Sequence, residues 1–472
     1  IFLTIFITLL IFFMIWNKMY RRRKLPPGPT PLPLIGNLLQ VRNGEMAKTL
    51  MELGKQYGPV FTFYFGSHPV VVFCGYDAVK EALVDKGEDF VGRGKQPTVD
   101  RVFQGYGLIT SEGDRWRQLR RFSLKTLRNF GVGKRTIEER INEEASCLVE
   151  ELRTYKELPV DPAIIISKAV TNVISSVVFG TRFDYSDKRF HRMLDIFYET
   201  FELMSSVWGQ IQDMVPMIMN HIPGPHQNIV TLLEELNEFI TERIKLNQDT
   251  LDPNSPRDYI DCFLIKMQEQ IHISSSLDVS SMNANDVFLF IIITMHCILF
   301  LMQAKLHEEI DRVIGQNRSP NIEDRNKMPY TEAVIHEIQR FANVIPMNAP
   351  HSATRDTNFR GYTIPQGTGV CALLCSVLGD PKYFVTPNKF NPNHFLDADG
   401  HFIKNEAFLP FSTGKRICLG EGLARTELFL FFTNILQNFQ LTSDTHFTES
   451  DIAPRMTGFA NVPIPYKLSF VP

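Results

Sequence analysis

One cysteine of this chain, Cys418, lies in a glycine-containing loop whose composition suits a metal-binding thiolate. The loop Phe411-Ser-Thr-Gly-Lys-Arg-Ile-Cys-Leu-Gly420 directly precedes a long apolar segment that is predicted to be helical. Unpaired backbone N–H groups and the positive end of a helix dipole favour the ionised thiol. Gly414 and Gly420 would let the backbone pass close to something flat and bulky, and Arg416 could reach an anion beside the sulfur. These are the requirements of a haem held by a thiolate.

The other cysteines limit the alternatives for this site. The chain has seven cysteines, at positions 74, 147, 262, 297, 371, 375 and 418. They show no paired Cys-x-x-Cys or Cys/His spacing of the kind found in zinc sites. An odd, scattered set also argues against a disulfide framework and fits a protein that faces the reducing cytosol. A buried structural cysteine in a turn remains the alternative to a haem ligand.

Length and composition indicate one large domain. The chain has 472 residues, of which 44% are hydrophobic, so it can bury an extensive core. Its net charge of −3 indicates no polyanionic partner, and nucleic acid is not expected. We find no long flexible linker, internal repeat or low-complexity tract that would divide the chain.

The first residues predict a membrane anchor. Residues 1–16 are uncharged and mostly aliphatic or aromatic, and a basic cluster follows at 21–24. Positive charge after an apolar run keeps the following chain in the cytosol, and no cleavage site of a signal peptide is seen. Leu25–Pro33 is rich in proline and cannot be helical. We therefore expect an anchor at 1–20, a basic stop and proline-rich hinge at 21–33, and a catalytic domain at 34–472.

Hydrophobic spacing predicts a mainly α-helical fold with small β-sheets. Strands are predicted at Val60–Phe65 and Val70–Phe73, which form a hairpin, and at Phe359–Pro365 and Gly369–Leu374, which form a second small sheet. Helical spacing covers most of the remainder: Asp114–Asn129, Lys134–Thr154, Phe190–Val207, Ile229–Leu246, Lys305–Ile314 and Thr331–Phe341.

The cysteine loop resembles the signature Phe-x-x-Gly-x-Arg-x-Cys-x-Gly of the cytochrome P450 family, with every fixed position present. Further segments are similar to vertebrate microsomal family-2 members: Gly87–Arg93, Arg121–Gly131, Met328–Ala333 and Gly422–Leu428. The resemblance implies a mainly helical fold and haem b with Cys418 as the axial ligand. It also implies insertion of one oxygen atom of O2 into a lipophilic substrate such as a xenobiotic, fatty acid or steroid. Electrons would come from NADPH through NADPH–cytochrome P450 reductase, at the endoplasmic reticulum membrane.

The resemblance also assigns the residues that would hold the haem propionates. Trp116 and Arg120 match a Trp-x-x-x-Arg motif, and a separation of four places both on one helix face. His351 matches a further propionate contact, and Arg416 belongs to the cysteine signature. A core Trp beside a surface Arg, and a structurally buried His, are the alternatives.

A structural pair is implied at Glu337 and Arg340, which match the Glu-x-x-Arg motif of the family. Alone, this spacing is most often a solvated surface pair. The family usually adds an Arg from a Phe-x-Pro-x-Arg-Phe loop. Here that loop has His394 at the arginine position, so His394 would have to supply the hydrogen bond.

Two further sets of residues follow from the resemblance. Segments that line substrate in relatives include Phe103, Ile345, Met347, Asn348 and Phe459. The helix that carries Trp116 also has a basic face, which in the family binds the reductase but could simply be solvated: Arg115, Arg117, Arg121, Lys125 and Arg128.

The resemblance fails at 281–302, where relatives have a central helix with an Ala/Gly-Gly-x-Asp/Glu-Thr motif. That motif leaves room for O2 and relays protons. This segment contains no Gly and no acid beside Thr294, so no proton-relay residue can be assigned. Three interpretations remain: a second membrane span at Val287–Met302, a diverged functional helix, or unrelated sequence that replaces a lost exon. A catalytically impaired haem-binding product, or a haem-thiolate isomerase or peroxygenase, is therefore the alternative function.

Overall fold

Helices make up most of the regular structure, as predicted. The computed structural model describes residues 2–22, 25–42, 45–133, 135–271, 299–445 and 454–472. Thr294 and residues 281–298 lie outside these ranges. The longer helices are Phe2–Arg22, Met46–Tyr57, Gly113–Asn129, Arg135–Thr154, Pro162–Val178, Lys188–Ser205, Asn228–Asp249, Tyr259–Ile271, Leu299–Val313, Pro329–Ala342 and Glu421–Asn438. Shorter ones are Tyr76–Lys80, Pro97–Phe103, Val207–Met214, Pro216–Met219 and Leu374–Leu378.

Two helices differ informatively from the sequence prediction. The helix predicted to reach Val207 ends at Ser205, because Ser206 caps the next helix and its hydroxyl accepts the N–H of Gly209. The helix Pro162–Val178 is absent from the predictions. It is buried on almost every side, and this includes most of the polar residues that recur at helical spacing at positions 167, 168, 171, 172, 175 and 176.

The largest sheet has five strands, and one of them corrects the prediction. The predicted hairpin is present as Val60–Phe65 and His68–Cys74. Gly369–Leu373 does not form a second sheet with the strand before it but pairs in parallel with His68–Cys74. The sheet is completed by His351–Ser352 and Gly92–Arg93. Two-stranded sheets pair Thr357–Phe359 with Tyr362–Ile364, Met456–Thr457 with Asn461–Val462, and Gln440–Thr442 with Ser469–Val471.

The two largest of the four hydrophobic clusters among the described residues are a helical cluster and a cluster against the sheet. The helical cluster surrounds Glu421–Asn438, and Cys418 packs against its edge. The sheet cluster includes Leu83 and Phe90, which precede the edge strand Gly92–Arg93. The cysteine loop therefore lies where the two clusters meet. In the part of the chain that the structure describes, no helix is both long enough and apolar enough to cross a membrane.

Candidate haem site

The cysteine loop is held by backbone contacts before the helix Glu421–Asn438 begins. The loop contains a single 3-10 turn, Gly414–Arg416. The N–H of Cys418 donates to the carbonyl of Phe411 at 3.1 Å, which closes the loop on itself. This hydrogen bond fixes the backbone that carries the Cys418 sulfur.

Gly414 is required by a close contact within the protein itself. Its φ is +76°, a left-handed conformation that favours glycine. A Cβ at this position would lie 1.9 Å from the carbonyl oxygen of Leu83. Gly420 differs, because a Cβ there would meet only the Cys418 sulfur, at 3.8 Å. Of the two glycines, Gly414 joins the loop to the sheet side of the molecule.

The electrostatics of Cys418 also differ from the sequence expectation. Burial raises the pKa of the thiol to about 12. The N–H groups of Gly420 and Glu421 and the charge of Arg120 lower the pKa, but they do not outweigh desolvation. The helix terminus alone therefore does not ionise this thiol. A metal ion that binds the sulfur displaces the proton, because the thiolate is the ligand.

A cavity of about 960 Å³, including its solvent-open part, lies over Cys418. Most of its lining is apolar, including Leu108, Leu127, Val132, Ile174, Val177 and Leu423. The same cavity is lined by Trp116, Arg120, Arg416 and Cys418, four of the five residues predicted to bind the cofactor. Two guanidinium groups, one indole ring and one thiol therefore line the same cavity, whose other walls are mostly apolar.

Two buried hydrogen-bond donors in this cavity have no partner among the described residues. They are the indole N–H of Trp116 and the Nη1 group of Arg416. The Arg416 guanidinium lies 3.9 Å from the centre of the Trp116 ring, so one anion could accept from both. Burial, followed by the nearby charge of Arg93, lowers the pKa of Arg416 to about 8. An anion here would relieve both the missing hydrogen bonds and the charge repulsion, so the donors fit a haem propionate.

Arg120 and His351 differ in how they relate to this cavity. Arg120 lines it, and its Nη2 donates to the carbonyl of Ile417 at 2.7 Å, which ties the helix Gly113–Asn129 to the cysteine loop. His351 is not among the lining residues. Its Nδ1 lies 2.8 Å from the carbonyl of Phe90, and burial lowers the pKa of its imidazole to about 3.

Arg93 is a lining residue that the sequence analysis missed. Its Nε donates to the carbonyl of Ile109 at 2.6 Å. It belongs to the edge strand Gly92–Arg93, which pairs with the strand that carries His351. The segment Gly87–Arg93 was recognised as family-like, and that was the only signal pointing to it.

Glu337 and Arg340 form a buried ion pair that is joined by His394. Two hydrogen bonds of 2.7 Å connect the carboxylate to the guanidinium, and both side chains are almost fully buried. The Nδ1 atom of His394 lies 3.2 Å from Glu337. Its Nε2 accepts the backbone N–H of Thr386 at 3.1 Å, so Nδ1 carries the proton that is shared with Glu337. Arg340 also donates to the backbone carbonyls of Leu378, Pro387 and Lys389.

A second cavity, of about 630 Å³ counted in the same way, adjoins the first. Ile109 lines both cavities, which places the second one beside the Cys418 site. Phe103 and Phe459, two of the five predicted substrate-pocket residues, line the second cavity. Asn348 lines the cavity over Cys418 instead.

The remaining two substrate-pocket residues lie elsewhere. Met347 packs on the sheet side of the core, and its carbonyl accepts the Cys371 thiol at 3.4 Å. Ile345 is half-buried and lines neither of the two cavities. The predicted basic face is solvent-exposed at all five positions: Arg115, Arg117, Arg121, Lys125 and Arg128.

A mainly helical fold with a thiol and two unpartnered donors at one apolar cavity is the arrangement expected of a haem-thiolate protein, and comparison with known proteins agrees. The family model for cytochrome P450 matches residues 26–470. The chain is 51% identical to cytochrome P450 2G1 of Rattus norvegicus and 50% identical to cytochrome P450 2A6 of Homo sapiens. Each alignment covers 100% of this chain and 98% of the relative. The chain therefore belongs to the cytochrome P450 family.

Membership of this family establishes the cofactor and the reaction class. The protein is a haem-thiolate monooxygenase whose cofactor is haem b with an axial cysteine thiolate. The family uses O2, a lipophilic substrate and a redox partner that supplies electrons.

Proposed function

We propose that Cys418 is the axial thiolate and that Trp116 and Arg416 bind the haem propionates. One observation carries this proposal: a single cavity brings the buried thiol together with two buried donors that have no partner among the described residues. Haem b supplies the activation of O2 when it is bound. The Arg120 hydrogen bond to Ile417 would hold the sulfur-bearing loop at a fixed distance from the propionate donors. His351 does not line the cavity and would influence the propionate site indirectly, through its strand partner Arg93.

We propose that the adjoining cavity binds the lipophilic substrate. Its apolar walls exclude water and favour an apolar molecule, and Ile109 separates it from the cofactor site by one side chain. Phe103 and Phe459 would contact the substrate directly. Asn348 would act from the cavity over Cys418, whereas Ile345 and Met347 line neither cavity and would not contact the substrate directly.

NADPH–cytochrome P450 reductase is the proposed electron donor, and the basic face of Gly113–Asn129 its docking surface. All five basic side chains of this face are exposed, and the same helix carries Trp116 and Arg120 inside the cofactor cavity. An acidic partner would be steered to this surface and would lie one helix away from the haem.

The N-terminal helix Phe2–Arg22 is proposed to anchor the protein in the endoplasmic reticulum membrane. Its side chains from Thr4 to Met14 are exposed and mostly apolar, and basic residues follow. In water such a surface would be unfavourable, whereas in lipid it is favourable. Residues 1–20 would be the anchor, 21–33 the stop and hinge, and 34–472 one catalytic domain in the cytosol.

Exchange of the cysteine tests the axial ligand. Cys418→Ala should abolish the red-shifted Soret band that a thiolate gives in the ferrous carbon monoxide complex. Cys147→Ala, the same change at a half-buried cysteine of another helix, should leave the band unchanged. A normal band in Cys418→Ala would assign the ligand to another residue.

A second candidate function, an impaired monooxygenase, is favoured by one observation in the sequence. Residues 281–302 contain no Gly and no acid beside Thr294, so directed proton delivery has no assigned residue. With reductase added, we expect most consumed NADPH to yield hydrogen peroxide and little oxidised product. The measurement is product formed per NADPH consumed. A ratio near one would show that Thr294 or ordered water delivers the protons.

A further inference from the structure

The cavity proposed to bind substrate is lined by Thr200, whose hydroxyl has no hydrogen-bond partner among the described residues. The cavity is built mainly from aromatic and aliphatic side chains, with the rings of Phe201 and Phe459 5.8 Å apart. Thr200 lies on the same wall of the helix Lys188–Ser205, between Phe197 and Phe201. It therefore places a hydroxyl group within a stripe of large apolar residues.

The hydroxyl of Thr200 is shielded from solvent and has no hydrogen-bond partner among the described residues. The Thr200 residue is 6% exposed. Three other helical threonines, Thr241, Thr426 and Thr433, bond back to the carbonyl four residues earlier at 2.7–2.9 Å. Thr200 makes no such bond. Thr171 shares with Thr200 the lack of a partner among the described residues, but it lies outside this cavity. Burial of a hydroxyl without a hydrogen-bond partner is unfavourable. A ligand that accepts a hydrogen bond from Thr200 would remove this cost and would therefore bind more tightly.

The other polar residues of the cavity do not offer a comparable group. The hydroxyl of Thr110 donates to the carbonyl of Tyr106, and Gln96 is half-exposed. No charged side chain is found among the cavity-lining residues that the structure describes. A carboxylate bound here would lack a counter-charge, which disfavours fatty-acid anions and favours a neutral molecule.

We propose that Thr200 determines substrate specificity by hydrogen bonding to a neutral, ring-containing lipophile that carries one carbonyl or hydroxyl oxygen. The proposal rests on the function assigned above to this cavity and adds the chemical class of the substrate. The apolar body packs between the phenylalanine rings, and the oxygen pairs with the Thr200 hydroxyl. The bond fixes which end of the molecule lies at the Ile109 side, next to the cofactor.

Two ligands that share a skeleton test the proposal on the full-length protein. 1-Tetralone carries a carbonyl that tetralin lacks, and equilibrium dialysis measures the binding of each without a haem signal. Thr200→Val, which keeps the shape and removes the hydroxyl, should weaken tetralone binding about tenfold. Tetralin binding should stay within about twofold, because tetralin makes no hydrogen bond. Thr200→Ser should retain the preference for tetralone.

Thr171→Val is the matched control, since it removes another buried hydroxyl without a partner among the described residues but lies outside the cavity, and it should leave the preference for tetralone unchanged. Thr200→Val should also unfold at no lower temperature than the unaltered protein when no ligand is present, because it removes an unsatisfied buried group. Equal weakening of both ligands, or no weakening of tetralone, would overturn the proposal. So would tighter binding of tetralin-1-carboxylate than of tetralone. The carbon monoxide spectrum of each variant tests the assignment of Cys418 independently of ligand binding, so failure of the two proposals can be distinguished.

Discussion

At the scale of single residues, the cofactor site is defined by buried donors that have no partner in the part of the chain that the structure describes. Proteins rarely bury an indole N–H or a guanidinium group without an acceptor, because such burial is unfavourable. The indole N–H of Trp116 and the Nη1 group of Arg416 have no acceptor among the described residues, although the other nitrogens of Arg416 donate to Val91 and Ser111. The guanidinium lies within stacking distance of the indole ring. The cavity is thus complementary to an anion with more than one oxygen.

Removal of one donor gives the first prediction at this scale. Trp116→Phe keeps the aromatic ring and deletes only the N–H group. A hydrogen bond to a charged partner contributes about 1.5–3 kcal/mol, so haem affinity should fall about tenfold to a hundredfold. The rate of haem transfer to apomyoglobin measures the loss.

Trp208→Phe is the corresponding control, because Trp208 is 42% exposed and stacks on His226. Its haem retention should equal that of the unaltered protein. Retention that is unchanged in Trp116→Phe would show that the indole N–H binds no propionate.

At the scale of elements, the buried ion pair on Pro329–Ala342 links a helix to the loops that follow it. Arg340 donates to the three carbonyls described above, and Glu337 also accepts the backbone N–H of Asn391 at 2.7 Å. Each buried charge is therefore met by its counter-charge and by backbone groups. Such a network is stable only while every partner is present.

Neutralising one side of the pair should be strongly destabilising. Glu337→Gln leaves the Arg340 guanidinium buried without its counter-charge, which costs about 3–5 kcal/mol. The urea midpoint should fall accordingly. Glu235→Gln, the same change in the half-exposed pair with Arg192, should cost less than about 1 kcal/mol. Similar midpoints for the two variants would contradict the role of the buried pair.

The part of the candidate site that the sequence could predict consists of residues whose placement depends on local spacing. The cysteine loop and the Trp116–Arg120 pair are short segments, and their motifs carry the relevant geometry. The sequence could not show that Gly414 packs against Leu83, or that His351 faces Phe90, because both contacts join distant parts of the chain. The parallel pairing of Gly369–Leu373 was missed for the same reason.

At the scale of the whole molecule, the start of the proposed anchor and the catalytic domain should lie on opposite sides of the membrane. If the basic residues keep the chain in the cytosol, protease added to intact microsomes should digest the part after Pro33. A tag on Ile1 should survive. Detergent should make the tag accessible as well, which is the control for intact vesicles. A catalytic domain that resists protease before detergent is added would contradict the cytosolic assignment.

The bond from Arg416 to the carbonyl of Val91 has a consequence for biosynthesis. It joins residues 325 positions apart, and the Gly414–Leu83 contact spans a similar distance. At about 5–20 residues per second, a ribosome takes roughly 15–65 seconds to translate that interval. Throughout this time the early strand lacks the loop against which it packs. The cofactor pocket is therefore completed only after Arg416 has been translated, and haem is acquired no earlier than that.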